Sequence, residues 1–560
     1  MRIRESEGRP RLVLAMRRVR WWAAACAAVA ALASCGGSSH KTSTTTSSKT
    51  TATAAAHPPA KPAQPIVTVN EVVSGGTEPE HMRVGIYDLR RDGPYLVLDF
   101  GIRCLDVSTT PCNEELAFAA PSHTGPSVTA NANRPGGVRL VDPASHKEFL
   151  PVRDSQSRPF TSQLSTIDDS AVHLAWVVFP APQGSVGSLD VVFPNGGPQV
   201  PGIQISSPGT PPTTGGTLVA AQPAPFATTL GSTDTTGLTL PIENLTSTVG
   251  NPNGSDSESA TKDTVTLRSD VLFHFDKSNL TSTAHTILGR LAPQIKSRAI
   301  GTVTVTGYTD SIGSDAVNIP LSIARAHSVQ AALGPLTPGV TYQSAGKGSA
   351  DPVAPNTKPD GSDNPAGRAL NRRVTITFAV KAPSPPTPPP AAPAAPAAGS
   401  ATQARTMSFA VTGPSFSDHY QVAVNDLFRE SDLIVLRATV TCAGSSGASG
   451  GHTCDGETDL AGTATVPPQL GTTSSAEYNS LSGFYLRDPA TGTEYIPLQD
   501  SDGRPLTAGT SVYMGVGDAY PGWVYFPAPP SSVSALTVVA PGGSANVADV
   551  PISPSPPAQP

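Results

Sequence analysis

The chain has 560 residues, 58 of them proline and 51 glycine, so about a fifth of it consists of residues that interrupt regular structure. Such a length holds roughly three or four domains, alternating with Ser/Thr/Ala/Pro runs that bury too little apolar surface to offset chain entropy. The net charge of −6 argues against a nucleic-acid partner and leaves no polybasic arm for a membrane surface.

At the N-terminus Arg17, Arg18 and Arg20 precede the apolar run Trp21 to Leu32, followed by Ala33, Ser34 and Cys35. This pattern predicts a signal peptide over residues 1–35, with Met16 an alternative start; the run falls short of the about 20 apolar residues of a spanning helix. Leu32-Ala33-Ser34-Cys35-Gly36 resembles the lipobox of bacterial lipoproteins. The resemblance implies an exported protein diacylated at Cys35, with palmitate as one acyl group, because two chains give durable attachment where one does not. The anchor is then expected on the outer face of the plasma membrane, or in the outer membrane of a two-membrane cell, since Gly36 rather than an aspartate follows it. The Ala/Pro/Thr-rich, lysine-poor composition points to a high-GC actinobacterium.

Residues 36–65 read as a disordered linker reaching about 30 Å as a flexible coil. Residues 66–206 then carry short strands rich in Val, Tyr, Phe and Thr between Gly, Pro and Asp turns, the pattern of a β-sandwich. The same blocks recur in order near the C-terminus: LVLDFGIRC at 96–104 answers IVLRATVTC at 434–442, Asp142-Pro143 answers Asp488-Pro489, and WVVFPAP at 176–182 answers WVYFPAP at 523–529. A second sandwich is therefore expected at 405–553. Both resemble the immunoglobulin-like modules of exported actinobacterial lipoproteins. Cys104 with Cys112 and Cys442 with Cys454 form two local pairs, which in an oxidising compartment predict disulfides rather than a metal site. Residues 207–261 read as a flexible linker. Residues 382–404 form a Pro/Ala-rich spacer whose polyproline run is roughly 40 Å long, and 554–560 a disordered tail.

Residues 262–381 hold 13 Lys and Arg against 8 Asp and Glu, so this segment is the cationic one. Their pattern predicts strand, helix, strand, helix, strand, strand: a strand VLFHFD at 271–276, a helix over 281–296 with Ile287, Leu288, Leu291 and Ile295 inward, and within TVTVTGYTD a strand through Val303 and Val305 that stops at Gly307 and sets Asp310 at its end. A second helix is expected to begin near Leu321 or Ser322, with Arg325 in its first turn and Ala326, Val329 and Leu333 inward. Four blocks in order, FHFDKSNL, GYTDSIGSDAVNIPLSIARAHSV, GKGSADPVAPN and GRALNRRVTI, resemble the OmpA C-terminal family of peptidoglycan-associated proteins. The resemblance implies a central α/β domain that binds peptidoglycan through the diaminopimelate of its stem peptides. By motif position Asp310 matches the family's ammonium-binding aspartate and Arg325 its carboxylate-binding arginine, the two charges a zwitterion requires. Asn318 and Leu321 match lesser pocket positions, Asp276 stands where some relatives of the family place a peptide-contacting asparagine, Arg372 and Arg373 stand where they could support the pocket, and the loop TKPDGSDNPA after Asn356 is expected to stay clear.

No Walker loop, HExxH, GxSxG or paired catalytic carboxylates appear, so no enzyme, metal or cofactor is expected. Asp500-Ser501-Asp502-Gly503 resembles half a calcium loop, but its counterpart Asp154-Ser155-Gln156-Ser157 favours a plain turn. Two readings remain: a tether between membrane and wall, or a wall-localised adaptor whose sandwiches bind a protein or glycan partner.

Overall fold

The computed structural model describes residues 65–74, 79–105, 112–113, 118, 134–163, 166–167, 172–194, 197–206, 218–219, 237–358, 360–381, 405–412, 416–447, 453–454, 460, 480–508 and 514–557. The signal segment, Cys35 and the runs 36–64 and 382–404 lie outside these residues.

In the first β module, strands β1 (Val67–Ser74), β2 (Pro79–Asp92) and β3 (Tyr95–Cys104) form an antiparallel meander. Then follow β4 (Cys112–Asn113), β5 (Arg139–Asp142), β6 (Lys147–Phe149), β7 (Thr166–Ile167), β8 (Val172–Pro180), β9 (Ser188–Val192), β10 (Gln199–Gln204) and β11 (Leu218–Val219). One sheet runs β1-β2-β3-β8-β11 and the second includes β10-β9-β5-β6. The alternation of β3 sends Leu96, Leu98, Phe100 and Ile102 into the same core as Leu140, Phe149, Leu189 and Val191 of the second sheet, so the sheets pack face to face.

The segment read as a flexible tether departs from that expectation over 237–261. It contains β12 (Ile242–Asn244), β13 (Thr246–Asn251) and β14 (Gly254–Glu258), followed by β15 (Lys262–Arg268). Composition misled because the Asn, Asp and Gly residues here are poor strand formers on their own; neighbouring sheet edges supply the partners. β12 pairs with β6, β14 joins β13 to β15, and Gly254, at φ +156°, lets the hairpin close where a Cβ would sit 2.0 Å from Thr266 O.

The central domain continues as α1 (Ser269–Leu272), α2 (Ser282–Arg298), β16 (Ala299–Gly307), α3 (Asp315–Leu333), β17 (Thr341–Gly346), α4 (Pro365–Asn371) and β18 (Arg373–Val380). Thr281 caps α2 by accepting from the Ala284 N–H at 3.0 Å. The buried set Leu288, Leu291, Ile295, Ala326, Val329 and Leu333 joins Val303, Val305, Val374 and Ile376 in one core. Two expectations fail. The first strand is Lys262–Arg268, and VLFHFD instead spans the end of α1 and a turn, leaving Phe275 90 % exposed. Helix α3 begins at Asp315 and runs through Pro320, so Arg325 lies ten residues beyond its start rather than in its first turn.

In the second β module β19 (Arg405–Thr412), β20 (Phe416–Glu430), β21 (Leu433–Gly447), β22 (Thr453–Cys454), β23 (Tyr485–Arg487), β24 (Glu494–Gln499), β25 (Met514–Gly515), β26 (Ala519–Pro527), β27 (Ala535–Val539) and β28 (Asn546–Pro551) repeat the first. The order β19-β20-β21-β26 answers β1-β2-β3-β8, and β28-β27-β23-β24 answers β10-β9-β5-β6. Disulfides Cys104–Cys112 and Cys442–Cys454 stand at equivalent places. β13 pairs with β24, so one ten-stranded sheet runs β17-β16-β18-β15-β14-β13-β24-β23-β27-β28 from the central domain into the second module.

Asp500 Oδ1 accepts the N–H groups of Asp502 and Arg504 at 2.9 and 2.8 Å, and Asp154 Oδ1 does the same for Gln156 and Arg158, both at 2.9 Å. Each carboxylate closes its own turn. Among the described residues no cluster of three His, Cys, Asp or Glu side chains is arranged to hold a metal, and no helix is long and apolar enough to cross a membrane.

Leu245, fully buried between β12 and β13, packs with residues of both β modules, including Val141, Val192, Leu433 and Trp523. Leu245→Ala should lower unfolding free energy by about 2–5 kcal/mol. Guanidinium titration reads this directly, and an unchanged midpoint would show that the segment does not hold the modules.

Candidate functional site

The site lies at the carboxyl end of β16. Val303 and Val305 are buried against the core and the strand stops at Gly307, where a Cβ would sit 2.1 Å from Ser322 O; at Gly346, ending β17, it would sit 2.4 Å from Ile323 N. The missing side chains let α3 lie close on both strand ends. Beyond Gly307, Tyr308 and Thr309 donate backbone N–H groups to Arg373 O and Gly348 O, each at 2.8 Å. Asp310 follows, 9 % exposed, with Oδ1 accepting the Ile312 N–H at 3.1 Å.

Asp310 Oδ2 is already engaged. It accepts from Arg372 Nη1 at 2.8 Å and lies 3.6 Å from Arg368 Nε. Arg372 holds a second carboxylate through its other nitrogens, donating Nε and Nη2 to Asp270 at 3.0 and 2.7 Å. These hydrogen bonds, Asp270's foremost, raise the Arg372 pKa above its ordinary value against the opposing effect of burial.

Arg325 enters from α3, 5 % exposed, its guanidinium 5.3 Å from the centre of the Phe273 ring and Nε donating to Lys277 O at 3.1 Å. Burial lowers its pKa, while Asp270, Asp276 and Asp310 act in the opposite sense; a guanidinium nonetheless stays charged. Its two terminal nitrogens donate to no described residue and remain solvent-accessible.

Asp276 is exposed in a turn at φ +51°, closed by Lys277 N–H to His274 O at 3.0 Å. The structure thus brings Asp310, Arg325 and Asp276 into one electrostatic neighbourhood. Asn318 has a different place: 4 % exposed, its Nδ2 donates to Ile312 O at 3.0 Å and tethers the Asp310 loop to α3. Leu321 is half-buried on the same helix. Exposed Phe275, Ile312, Ile319 and Ile323 add apolar surface on the turn, loop and helix that carry these charges.

Sequence reasoning missed Asp270, Arg368 and the bridging role of Arg372. The adjacent arginines of GRALNRRV were the available signal, but their roles divide. Arg372 spans two carboxylates, whereas Arg373 lies 3.8 Å over Tyr308 and donates to Asp351 O at 2.9 Å, a packed position. The loop expected to stay clear does reach this array, because its Asp363 is ion-paired with Arg368.

A profile of the OmpA family matches residues 272–364. Among curated proteins, the chain is 42 % identical over 113 residues to Photosystem I P700 chlorophyll a apoprotein A2 of Gloeobacter violaceus, covering 20 % of this chain and 13 % of that one. It is 38 % identical over 109 residues to Peptidoglycan-binding protein ArfA of Mycobacterium tuberculosis, 19 % of this chain and 31 % of the relative. The chain thus spans well under two thirds of either relative. Among solved structures, the cell wall anchor of the T6SS from Pseudomonas aeruginosa is 30 % identical, with a TM-score of 0.20, covering 23 % of this chain and 89 % of that one. Residues 272–364 of this protein, which carry Asp276, Asp310, Asn318, Leu321 and Arg325, are an OmpA-like domain.

Proposed function

We propose that this protein is a non-enzymatic envelope lipoprotein that holds peptidoglycan through its OmpA-like domain and a membrane through acyl chains on Cys35. Arg325 carries the reading: a buried guanidinium whose terminal nitrogens donate to no described residue, beside the carboxylates of Asp310 and Asp276. A diaminopimelate end, with ammonium and carboxylate on one carbon, supplies the complement. Its carboxylate takes the Arg325 fork, and its ammonium the acidic side, with Asp310 as principal acceptor. The mycobacterial relative's description as peptidoglycan-binding supports the ligand class. The two β modules, which we read as immunoglobulin-like, stand the domain off the anchor.

The test pellets the full chain, in mild detergent, with insoluble peptidoglycan. Arg325→Ala and Asp310→Ala, each confirmed folded, should weaken binding about 10–100-fold, as loss of a charge-assisted hydrogen bond implies. Diaminopimelate-type wall should pellet the wild type and lysine-type wall should not. Equal binding by the variants, or to both walls, removes the proposed clamp.

Gly307→Ala should weaken the same binding without touching a charge, because the new methyl pushes α3, and Arg325 with it, off the strand end. An unaffected pelleting curve would show that this close approach does not set the site. For the anchor, cells grown with labelled palmitate should label the wild type but not Cys35→Ser; label retained on the variant places the acyl group elsewhere.

A further inference from the structure

Asp190 on β9 of the first module and Glu430 at the end of β20 of the second meet where the modules touch. Asp190 is 1 % exposed, and its Oδ2 accepts from Tyr525 Oη at 2.5 Å and from Gln199 Nε2 at 3.3 Å, while Oδ1 accepts the Gly202 N–H at 2.9 Å. Glu430 lies close enough to Asp190 for each carboxyl group to act on the other, and its Oε2 is sealed from solvent with no N–H or O–H donor among the described residues reaching it. Two carboxyl groups can bond each other only if one carries a proton. Val141, Val192, Leu433, Val435 and Trp523 belong to the apolar cluster that seals the junction.

We propose that Asp190 and Glu430 share one proton and that this proton latches the two β modules together, firmly in acid and less firmly as the solution turns alkaline. Losing it places two negative charges in the junction. Arg437 is the cation facing them; it donates to Gln199 Oε1 at 2.8 Å, and its Nη1 lies 3.8 Å from Asp426. Tyr525 stays protonated, because burial raises its pKa well above the ordinary value. Among the described residues an ion pair that crosses the junction is His146 with Asp432, at 2.9 Å, and Arg139, 5.9 Å from the Trp523 ring centre, is paired with Glu148 at 3.0 Å.

Burial first, then Asp190, lifts the Glu430 pKa from the ordinary 4.5 to about 9, and burial raises Asp190 also. A raised pKa stabilises the folded junction fully below the ordinary value, and that contribution falls away as pH climbs from there through the folded value. The working window is therefore about pH 5 to 9.

Trp523 reports on the junction: it is 2 % exposed and its Nε1 donates to Gly197 O at 2.9 Å. In the full chain with Trp21, Trp22 and Trp176 changed to Phe, it is the sole tryptophan. Acrylamide quenching, referenced to free tryptophan, should rise severalfold between pH 5 and pH 9. The rise should persist in His146→Gln and vanish in Glu430→Gln, or in Asp190→Asn if the first variant does not fold. A flat parent curve overturns the proposal, as does a rise that survives removal of either carboxyl.

Discussion

Unpaired strand edges are the constraint on which this molecule depends. A row of open N–H and C=O groups is both costly to bury and a template for aggregation, and three sheets here would each present one. A single segment, 242–258, covers all three: β12 lies on β6, β13 on β24, and β14 on β15. Most of its residues are polar, and few of them reach a core. The segment holds because backbone pairing does not ask for apolar side chains. It thereby fixes the OmpA-like domain against two β modules that a loose tether would leave to drift, and puts Leu245 where both modules close over it.

The duplication shows how two copies of one plan acquire different tasks. In both, the repeated WVxFPAP strand is buried on both faces. In the first module the outward face, with Trp176 and Val178, packs with Val152, Phe160, Leu238 and Leu240. In the second, Trp523 and Tyr525 occupy the same places and are covered by the first module instead. Val178 becoming Tyr525 introduces a hydroxyl that must find an acceptor once buried, and Asp190 supplies it. Likewise Asp99, paired within its own module with Arg90, becomes Arg437, which reaches across to Gln199. The junction was built at the positions where the repeats diverge.

The OmpA-like domain was legible because its motif is spread over four ordered blocks, and the duplication because similarity needs no propensity argument. What stayed hidden was hidden for physical reasons. The true first strand, KDTVTLR, buries Asp263 completely, so its inward face reads as interrupted by a charge. VLFHFD offers period-two alternation, yet Leu272 is buried and Phe275 exposed, the opposite of what alternation demands. The second helix is expected near Leu321, after Pro320, because proline breaks helices in their interior, but α3 starts at Asp315 and carries Pro320 within it. The bridge over 242–258 could not be read locally at all, since its strands exist only where other edges meet them.

The same accounting of buried groups bears on selectivity in the proposed complex. Asp310 is not a bare anion waiting for a ligand; Arg372 already satisfies one of its oxygens and ties it to Asp270. A ligand bringing only an ammonium would add a cation to an arginine-rich corner and leave the largely buried Arg325 without a new counterion. A ligand bringing only a carboxylate would satisfy Arg325 while displacing nothing from Asp310. A zwitterion alone pairs the free fork of Arg325 and restores acid–base balance around Asp310 in one step. Uncompensated buried charge is costly, so the array Asp270–Arg372–Asp310 discriminates by what it penalises as much as by what it attracts.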